Sequence, residues 1–330
     1  RYPHMKPQGN VNGKPVFKIA DWITRICNDQ SYTSQMNFDV PVHVESHIPR
    51  REFHETRAMK RLTEQHSNSA VFAISLYYDD FRKFRMAPGS CGGLYFSMLN
   101  MNRKMVSKPK SIFPLALVEN DEEYLQAMQI IIKELNSLAL PHKVEFIGIG
   151  TIQAQVFLSV SAADMVQRNF NCMMASPIGN NSCCCTCGCV KEDISKPPKL
   201  SPFDDGIDLH NKRTSVQMKE MLVKYTAATT KHNKEEILAA YGACLHEING
   251  EIVENPFWNL HYIDIHEISL VDYFHVEILG LFRKHFKMLW KTVMSPTQQV
   301  IFKEIAQKVK CNGLSLPNFN SFKFWNVDIC

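Results

Sequence analysis

Two acidic positions in this chain stand directly after apolar runs. Asp79 and Asp80 end the stretch SAVFAISLYYDD, and Asp164 ends TIQAQVFLSVSAAD. Carboxylates delivered by neighbouring strands can hold two divalent metal ions roughly 3.5–4 Å apart, one activating an attacking oxygen and one stabilising the leaving oxygen of a phosphodiester. Oxygen ligands of this kind suit Mg²⁺ or Mn²⁺. Taken singly, an Asp after a strand serves equally as a turn residue or helix cap. It is the repetition after two separate strands that favours chemistry. Strand alternation puts Asp80 on the face of Tyr78 and makes it the preferred first acid, while a register error of one residue would substitute Asp79.

A second cluster is built on sulfur. Of eleven cysteines, Cys183, Cys184, Cys185, Cys187 and Cys189 crowd one short loop. Cys184 and Cys187 have the C-x-x-C spacing that brings two thiolates to one zinc ion through a tight turn. No second C-x-x-C or H-x-x-x-H follows at finger spacing, so two readings stay open: a zinc knuckle completed by Cys189, Cys172 or His210, and a cysteine-rich loop without metal. Thiols this dense suit a reducing, intracellular compartment better than a disulfide framework. Arg82, Lys83 and Arg85 follow the first acids, and Arg103 and Lys104 lie beyond the next strand; they can line a phosphate backbone or form a solvated rim. His275 lies at helical spacing from Asp272 and reads first as a buried histidine bonded to an acid.

The elements that would carry these residues follow from periodicity. One amphipathic helix is expected over residues 14–30, then an irregular polar stretch to about residue 68. Val71–Tyr78 predicts a buried strand, GGLYFSMLN and SIFPLALVEN two more in a meander, and Asn120 with Glu123 opens a helix in capping-box fashion. Leu125, Met128, Ile132, Leu135 and Ala139 mark its buried face, and Pro141 stops it. A fourth strand centred on Val156–Val160 leads to Asp164. A Pro-rich linker, SKPPKLSP, precedes a helical stretch from about Thr214 to Leu245 and a final helical segment containing His275, Leu279, Phe282 and Phe286. With 330 residues, 45% of them hydrophobic and 21% charged, the chain has material for a full core. No apolar run is long enough to span a membrane, no secretory signal opens the chain, and the net charge of +4 permits nucleic-acid binding without requiring it. The opening at Arg1 and the stop after an aromatic-rich segment suggest a truncated copy.

Three blocks together carry a family resemblance. LYYDDFRKFR with GGLYFSMLN resembles the first-acid segment of cut-and-paste DNA transposases of the CACTA, Plavaka and KDZ group, of fungal type. VFLSVSAADMVQRNF with the following C-x-x-C resembles the second-acid segment. The last block, in which Asp272, His275, Leu279 and Gly280 match, resembles a later Asp-x-x-His-x-x-x-Leu-Gly motif. The resemblance spans about residues 70 to 295. It implies an α/β fold, a ribonuclease-H-like mixed sheet with a mainly helical insertion or second domain. The implied divisions are an N-terminal segment over 1–64, the catalytic core over 65–185 and a helical region over 186–330. It implies DNA cleavage and strand transfer by Asp80 (or Asp79) and Asp164 with Mg²⁺ or Mn²⁺, and a third acid for which Glu277 is the candidate unless it lies beyond Cys330. Transposon ends and target DNA are the implied partners, with homo-oligomers and nuclear residence. A catalytically dead relic, or a recruited DNA-binding or scaffold protein, is the alternative. A zinc-binding interaction module is a third.

Overall fold

Asn12-Gly13 is a strong hairpin signal, because a two-residue type I′ turn needs positive φ at both positions. The computed structural model gives them φ of 49° and 80°, and they join β1 (Pro7–Val11) to β2 (Lys14–Phe17). The helix expected over 14–30 is therefore shorter. Helix α1 covers Ile19–Cys27 and buries Ile19, Trp22, Ile23 and Ile26, the face its spacing foretold. A short α2 (Gln30–Thr33) follows, and the supposedly irregular stretch contains α3 (Arg57–Gln65), capped by the Thr56 side chain. The structure describes residues 6–38, 53, 56–82, 90–163, 165–175, 184–187, 212–271, 288 and 292–301. The chain forms two units, Arg1–Asp272 and Tyr273–Cys330.

The first unit is built on a mixed sheet of parallel and antiparallel strands. β3 (Ala70–Arg82), β4 (Ser90–Met98) and β5 (Phe113–Val118) form the expected antiparallel meander. A one-turn helix, α4 (Arg103–Val106), lies between the last two. Helix α5 (Asp121–Leu138) starts at the Asn120 cap as foreseen, but the Glu123 side chain accepts from Glu119 N where a capping box would use Asn120 N. It leads through β6 (His142–Phe146) into the long β7 (Gly150–Ala163), which pairs parallel with β3. Helix α6 (Met165–Asn171) follows. The helical stretch expected near Thr214 is two helices, α7 (Ser215–Ala227) and α8 (Lys231–Tyr241), because Thr230 caps a new start. A small hairpin of β8 (His246–Ile248) and β9 (Glu251–Val253) comes next. Helix α9 (Ile265–Ile268) then runs directly into β10 (Ser269–Val271), which pairs parallel with the end of β7. The sheet order is β10–β7–β3–β4–β5, with β6 also against β7.

Alternation along β3 sorts its side chains to two faces. Phe72, Ile74, Leu76 and Tyr78 join the main core with α1 and α5, whereas Val71 and Ala73 pack with Phe157 and Met59 of α3. Leu125, Met128, Ile131, Ile132 and Leu135 of α5 are almost wholly buried. At roughly 2 kcal/mol each, their burial contributes on the order of 10 kcal/mol before entropy is subtracted. Asn100, just past β4, is fully buried: its side chain accepts from Ala73 N at 2.8 Å and donates to Val71 O at 2.9 Å, completing the pairing of β3 where β4 has ended.

Two acids of α5 hold the N-terminal elements in place. Glu123 accepts from Lys14 Nζ at 2.6 Å, Asn12 Nδ2 at 3.0 Å and Glu119 N at 2.8 Å. Glu134 accepts from Ile19 N and Ala20 N, both at 3.0 Å, and so caps α1 from outside. Burial alone would raise the Glu123 pKa, but the bonds from Lys14, Asn12 and the Glu119 amide outweigh it and the net shift is downward. A carboxylate with a lowered folded-state pKa contributes stability above its unfolded pKa, and that stability is lost as pH falls through the folded value. Glu123→Ala should therefore cost roughly 2 kcal/mol at neutral pH, the worth of charge-assisted hydrogen bonds, and the deficit should shrink below about pH 4. Denaturant unfolding of both proteins across that range checks it; an equal deficit at all pH values would assign the loss to packing.

Candidate functional site

β3 does not stop at its acids. Strand pairing continues through them, with Asp79 opposite Gly93, Asp80 opposite Gly92 and Arg82 opposite Ser90. Asp79 lies on the Ser75–Tyr77 face and is exposed. On the other side of β3 the parallel partner is β7, and their register shifts between Ile74 and Ser75: Ile74 pairs with Leu158, but Ser75 pairs with Val160. Ser159 is thus an extra residue, a bulge that re-phases the last part of β7. Beyond it Tyr77 pairs with Ala162, and Ala163 pairs with Val271 of β10. Strands β3, β7 and β10 run in one direction and finish at one edge of the sheet.

The Gly92-Gly93 pair explains how two tyrosines fit around the acids. A Cβ on Gly92 would collide with the ring of Tyr78, and one on Gly93 with the ring of Tyr95. Each ring lies over a glycine, and burial, followed by the charge of Asp79, raises the Tyr95 pKa. Tyr78 is held by an edge contact with Tyr124 of α5 at 4.9 Å between centroids. Tyr124 OH donates to Asn171 Oδ1 at 2.6 Å, Gln167 donates to the same oxygen at 2.9 Å, and Asn255 Nδ2 donates to Asn171 O at 2.6 Å. A chain of contacts therefore joins β3 to α6, whose sequence directly follows Asp164. Sequence reasoning missed Tyr124 and Asn171. The only available signal was that a tyrosine on the core face of a helix needs a partner for its hydroxyl.

The cysteine loop packs against the same helix, through Arg168 and Asn169. Cys185 and Cys187 are buried and Cys184 is partly exposed. Thr186 N donates to Cys184 Sγ at 3.4 Å, the amide-to-sulfur bond that a C-x-x-C turn offers to a thiolate. Cys185 Sγ donates to Asn169 Oδ1 at 3.0 Å. The hydrogen bond with Cys172 lowers the Cys185 pKa, burial opposes that, and the charges of Arg168 and Arg213 assist it; the same bond and burial push Cys172 up. Arg168 bridges Thr186 Oγ1 at 3.1 Å and Ser269 O of β10 at 3.1 Å. Arg213 donates to Cys184 O at 3.2 Å and Tyr241 O at 2.8 Å. His266 bonds Cys185 O through Nδ1 at 2.6 Å, its Nε2 is buried without a hydrogen-bond partner among the described residues, and burial lowers its pKa. Among the described residues no group of three or more His, Cys, Asp or Glu converges as a metal site. Cys184 and Cys187 lie in one turn, and Cys172 is hydrogen-bonded to Cys185 between them.

The remaining expected site residues divide into two sets. Asp164, Lys83, Arg85 and Glu277 lie outside the described residues, as do His275, Asp272, Cys189 and His210. Arg103 and Lys104 are described and exposed on α4. They follow the end of β4 remote from Gly92, so they stand apart from Asp79 and Asp80. No described helix is long and apolar enough to cross a membrane. No family model and no curated protein matches this chain.

Gly92→Ala should displace the Tyr78 ring from Tyr124 and lower stability by about 1–3 kcal/mol, the usual cost of overpacking. Combining it with Tyr78→Ala, which clears the space, should make the glycine substitution nearly neutral. Thermal melting of the four proteins measures this, and a full additive loss in the double variant would refute the ring contact as the cause.

Proposed function

We propose that this chain is a ribonuclease-H-like catalytic region of a DNA transposase that cuts and joins DNA at transposon ends. One observation carries the reading: β3 and β7, parallel neighbours in the sheet, finish at the same edge, β3 with Asp79 and Asp80 in its last residues and β7 one residue before Asp164 in the chain. The three-strand meander, the return through α5, the parallel β7 beside β3 and β10 parallel outside β7 support the ribonuclease-H-like reading. The family resemblance of the three sequence blocks supports the same function.

In this reading Asp80 and Asp164 hold Mg²⁺ or Mn²⁺, with Asp79 the alternative first acid and Glu277 the candidate third. The donor chemistry fits: carboxylate oxygens are hard ligands, and Asp79 is solvent-accessible at the strand end. Bound metal would supply charge stabilisation for the attacking and leaving oxygens. The β3–β7 pairing and the Tyr78–Tyr124–Asn171 contacts would hold β3, and Asp79 with it, against β7 and α6. Tyr77 pairs with Ala162, so Asp79 stands two residues past a position whose partner is two residues short of Asp164. That register makes Asp79 a full competitor of Asp80. Arg82, Lys83 and Arg85 are the cations that would meet DNA nearest the acids. Residence in the nucleus and assembly into homo-oligomers on paired DNA ends belong to the same proposal.

Asp164→Asn, and whichever of Asp79→Asn and Asp80→Asn removes a ligand, should reduce Mn²⁺-dependent nicking of transposon-end DNA by at least roughly a hundredfold, the size of effect expected when one group leaves a pre-organised charge-stabilising site. Melting temperature and DNA affinity should hold. Full activity in Asp164→Asn would refute the assignment, and a parent protein that binds DNA without cutting it would move the reading to a non-catalytic DNA-binding descendant.

The C-x-x-C turn fits zinc, since its amide-to-sulfur bond favours the thiolate that a metal needs. About one zinc per chain is expected in protein purified without chelator, measured by elemental analysis. Absence of zinc, with unchanged stability in Cys184→Ser/Cys187→Ser, would rule the site out.

A further inference from the structure

The connection from β4 to β5 is far longer than a meander needs, since hairpin loops usually take two to five residues. It spans residues 99–112 and contains RKMVSKPK, residues 103–110, four cations without an acid. The whole chain has a net charge of only +4. This one segment therefore equals the net charge of the protein, and such segregation creates a local potential that a dispersed surplus would not.

The segment is ordered by specific contacts. Asn102 caps α4 by accepting from Met105 N at 2.9 Å, and its Nδ2 donates to Gln35 Oε1 at 2.6 Å. Met105 and Ser111 are buried and anchor the two ends. Tyr32 OH donates to Lys110 O at 2.8 Å, with the Lys110 ammonium 5.4 Å from the Tyr32 ring centre. Between these anchors Arg103, Lys104, Lys108 and Lys110 are all exposed. Asp29 is a nearby acid, tied up by the Ser31 side chain and amide and also under the charges of Lys110 and Arg25; its pKa is lowered accordingly. A fixed backbone presenting exposed, long cationic side chains loses less entropy on meeting a polyanion than a flexible tail would.

The ridge does not belong to the acid edge. Gly92 stands opposite Asp80 and Met98 opposite Ile74, so six residues of extended strand, roughly 20 Å, separate the partner of Asp80 from the end of β4 after which the ridge begins. Cations that far from the acids cannot clamp the same phosphate.

We propose that Arg103, Lys104, Lys108 and Lys110 form a second, sequence-independent contact with the backbone of duplex DNA, separate from the acid edge. The proposal rests on the DNA reading above. Phosphates spaced along a duplex would meet the four cations in turn, and each contact would release counterions and steepen the salt dependence of binding. The ridge would hold flanking DNA whatever its sequence, and nicking at the acid edge would proceed on the same duplex.

The test is anisotropy of a labelled duplex of about 30 base pairs, of arbitrary sequence, titrated with the full chain between about 50 and 200 mM salt. Replacing Arg103, Lys104, Lys108 and Lys110 together by Ala should flatten the log–log salt slope by about 3–4, at roughly 0.9 per phosphate contact, and weaken binding at least tenfold at about 100 mM salt. Lys108→Gln/Lys110→Gln, which leaves α4 intact, should give about half that change in slope. A control lacking Lys219, Lys224, Lys231 and Lys234 of α7 and α8 removes the same charge elsewhere and should keep the parental slope. A parental slope in the ridge variants, or equal flattening in the control, would overturn the ridge alone. Failure of the parent to bind any duplex would overturn the DNA reading and the ridge with it.

Discussion

The parallel pairing of β3 with β7 is the constraint on which the rest of the first unit depends. Parallel neighbours cannot be joined by a tight turn, so the chain between them must be long, and here it contains the meander, α5 and β6. Both strands are apolar through their middle because helices cover both faces, α1 and α5 on one and α3 on the other. The bulge at Ser159 then alters the phase of pairing over the last residues that the two strands share. A single inserted residue changes which side chain of β3 stands in line with which position of β7.

Around that pair, buried polar groups act as locators. Glu123 and Glu134 lie on the same helix and both accept hydrogen bonds from the N-terminal elements, yet their acidities move in opposite directions. Glu123 has an ammonium partner in Lys14 and is drawn down; Glu134 is satisfied by the Ile19 and Ala20 amides with Lys18 only nearby, and burial pushes it up. Amides can meet the geometry of a carboxylate without compensating its charge. Asn100 solves a different problem, replacing strand pairing with side-chain hydrogen bonds where β4 turns away. Asn100, just past the aromatic strand β4, thus has a structural task.

The region after α6 leaves the sheet and returns to it. α7, α8 and the β8–β9 hairpin intervene before β10 extends the sheet beside β7. Arg168 and Arg213 join this excursion to the core through carbonyl and hydroxyl oxygens around the cysteine loop. Guanidinium groups suit such a junction because several fixed donors can serve several elements at once. His246 contributes an aromatic contact, stacking on Phe170 of α6 with its pKa lowered to about 4 by burial, so it remains neutral at physiological pH.

Local pattern determined much of this protein. The alternation and apolar density of residues 70–78, the Asn120 cap and the heptad-like spacing through Leu135 specified β3 and α5, and the meander followed from consecutive strand signals. Asn12-Gly13 was an equally local signal, overlooked because the apolar spacing of the following helix was extended back across Lys14–Phe17. Other features had no local signature. β10 is three residues long, too short for periodicity, and exists because β7 offers an unpaired edge. The Tyr124–Asn171 bond, the convergence of Arg168 and Arg213 on the cysteine loop, and the separation of Arg103 and Lys104 from the acids depend on contacts between segments remote in sequence. Asp79 and Asp80 stay in competition because a bulge in another strand re-phases the pairing of β3 with β7. Sequence determines period and cap because these are interactions within a few residues; register and long-range partners are decided only when the packed sheet makes one alignment cheaper than its neighbours.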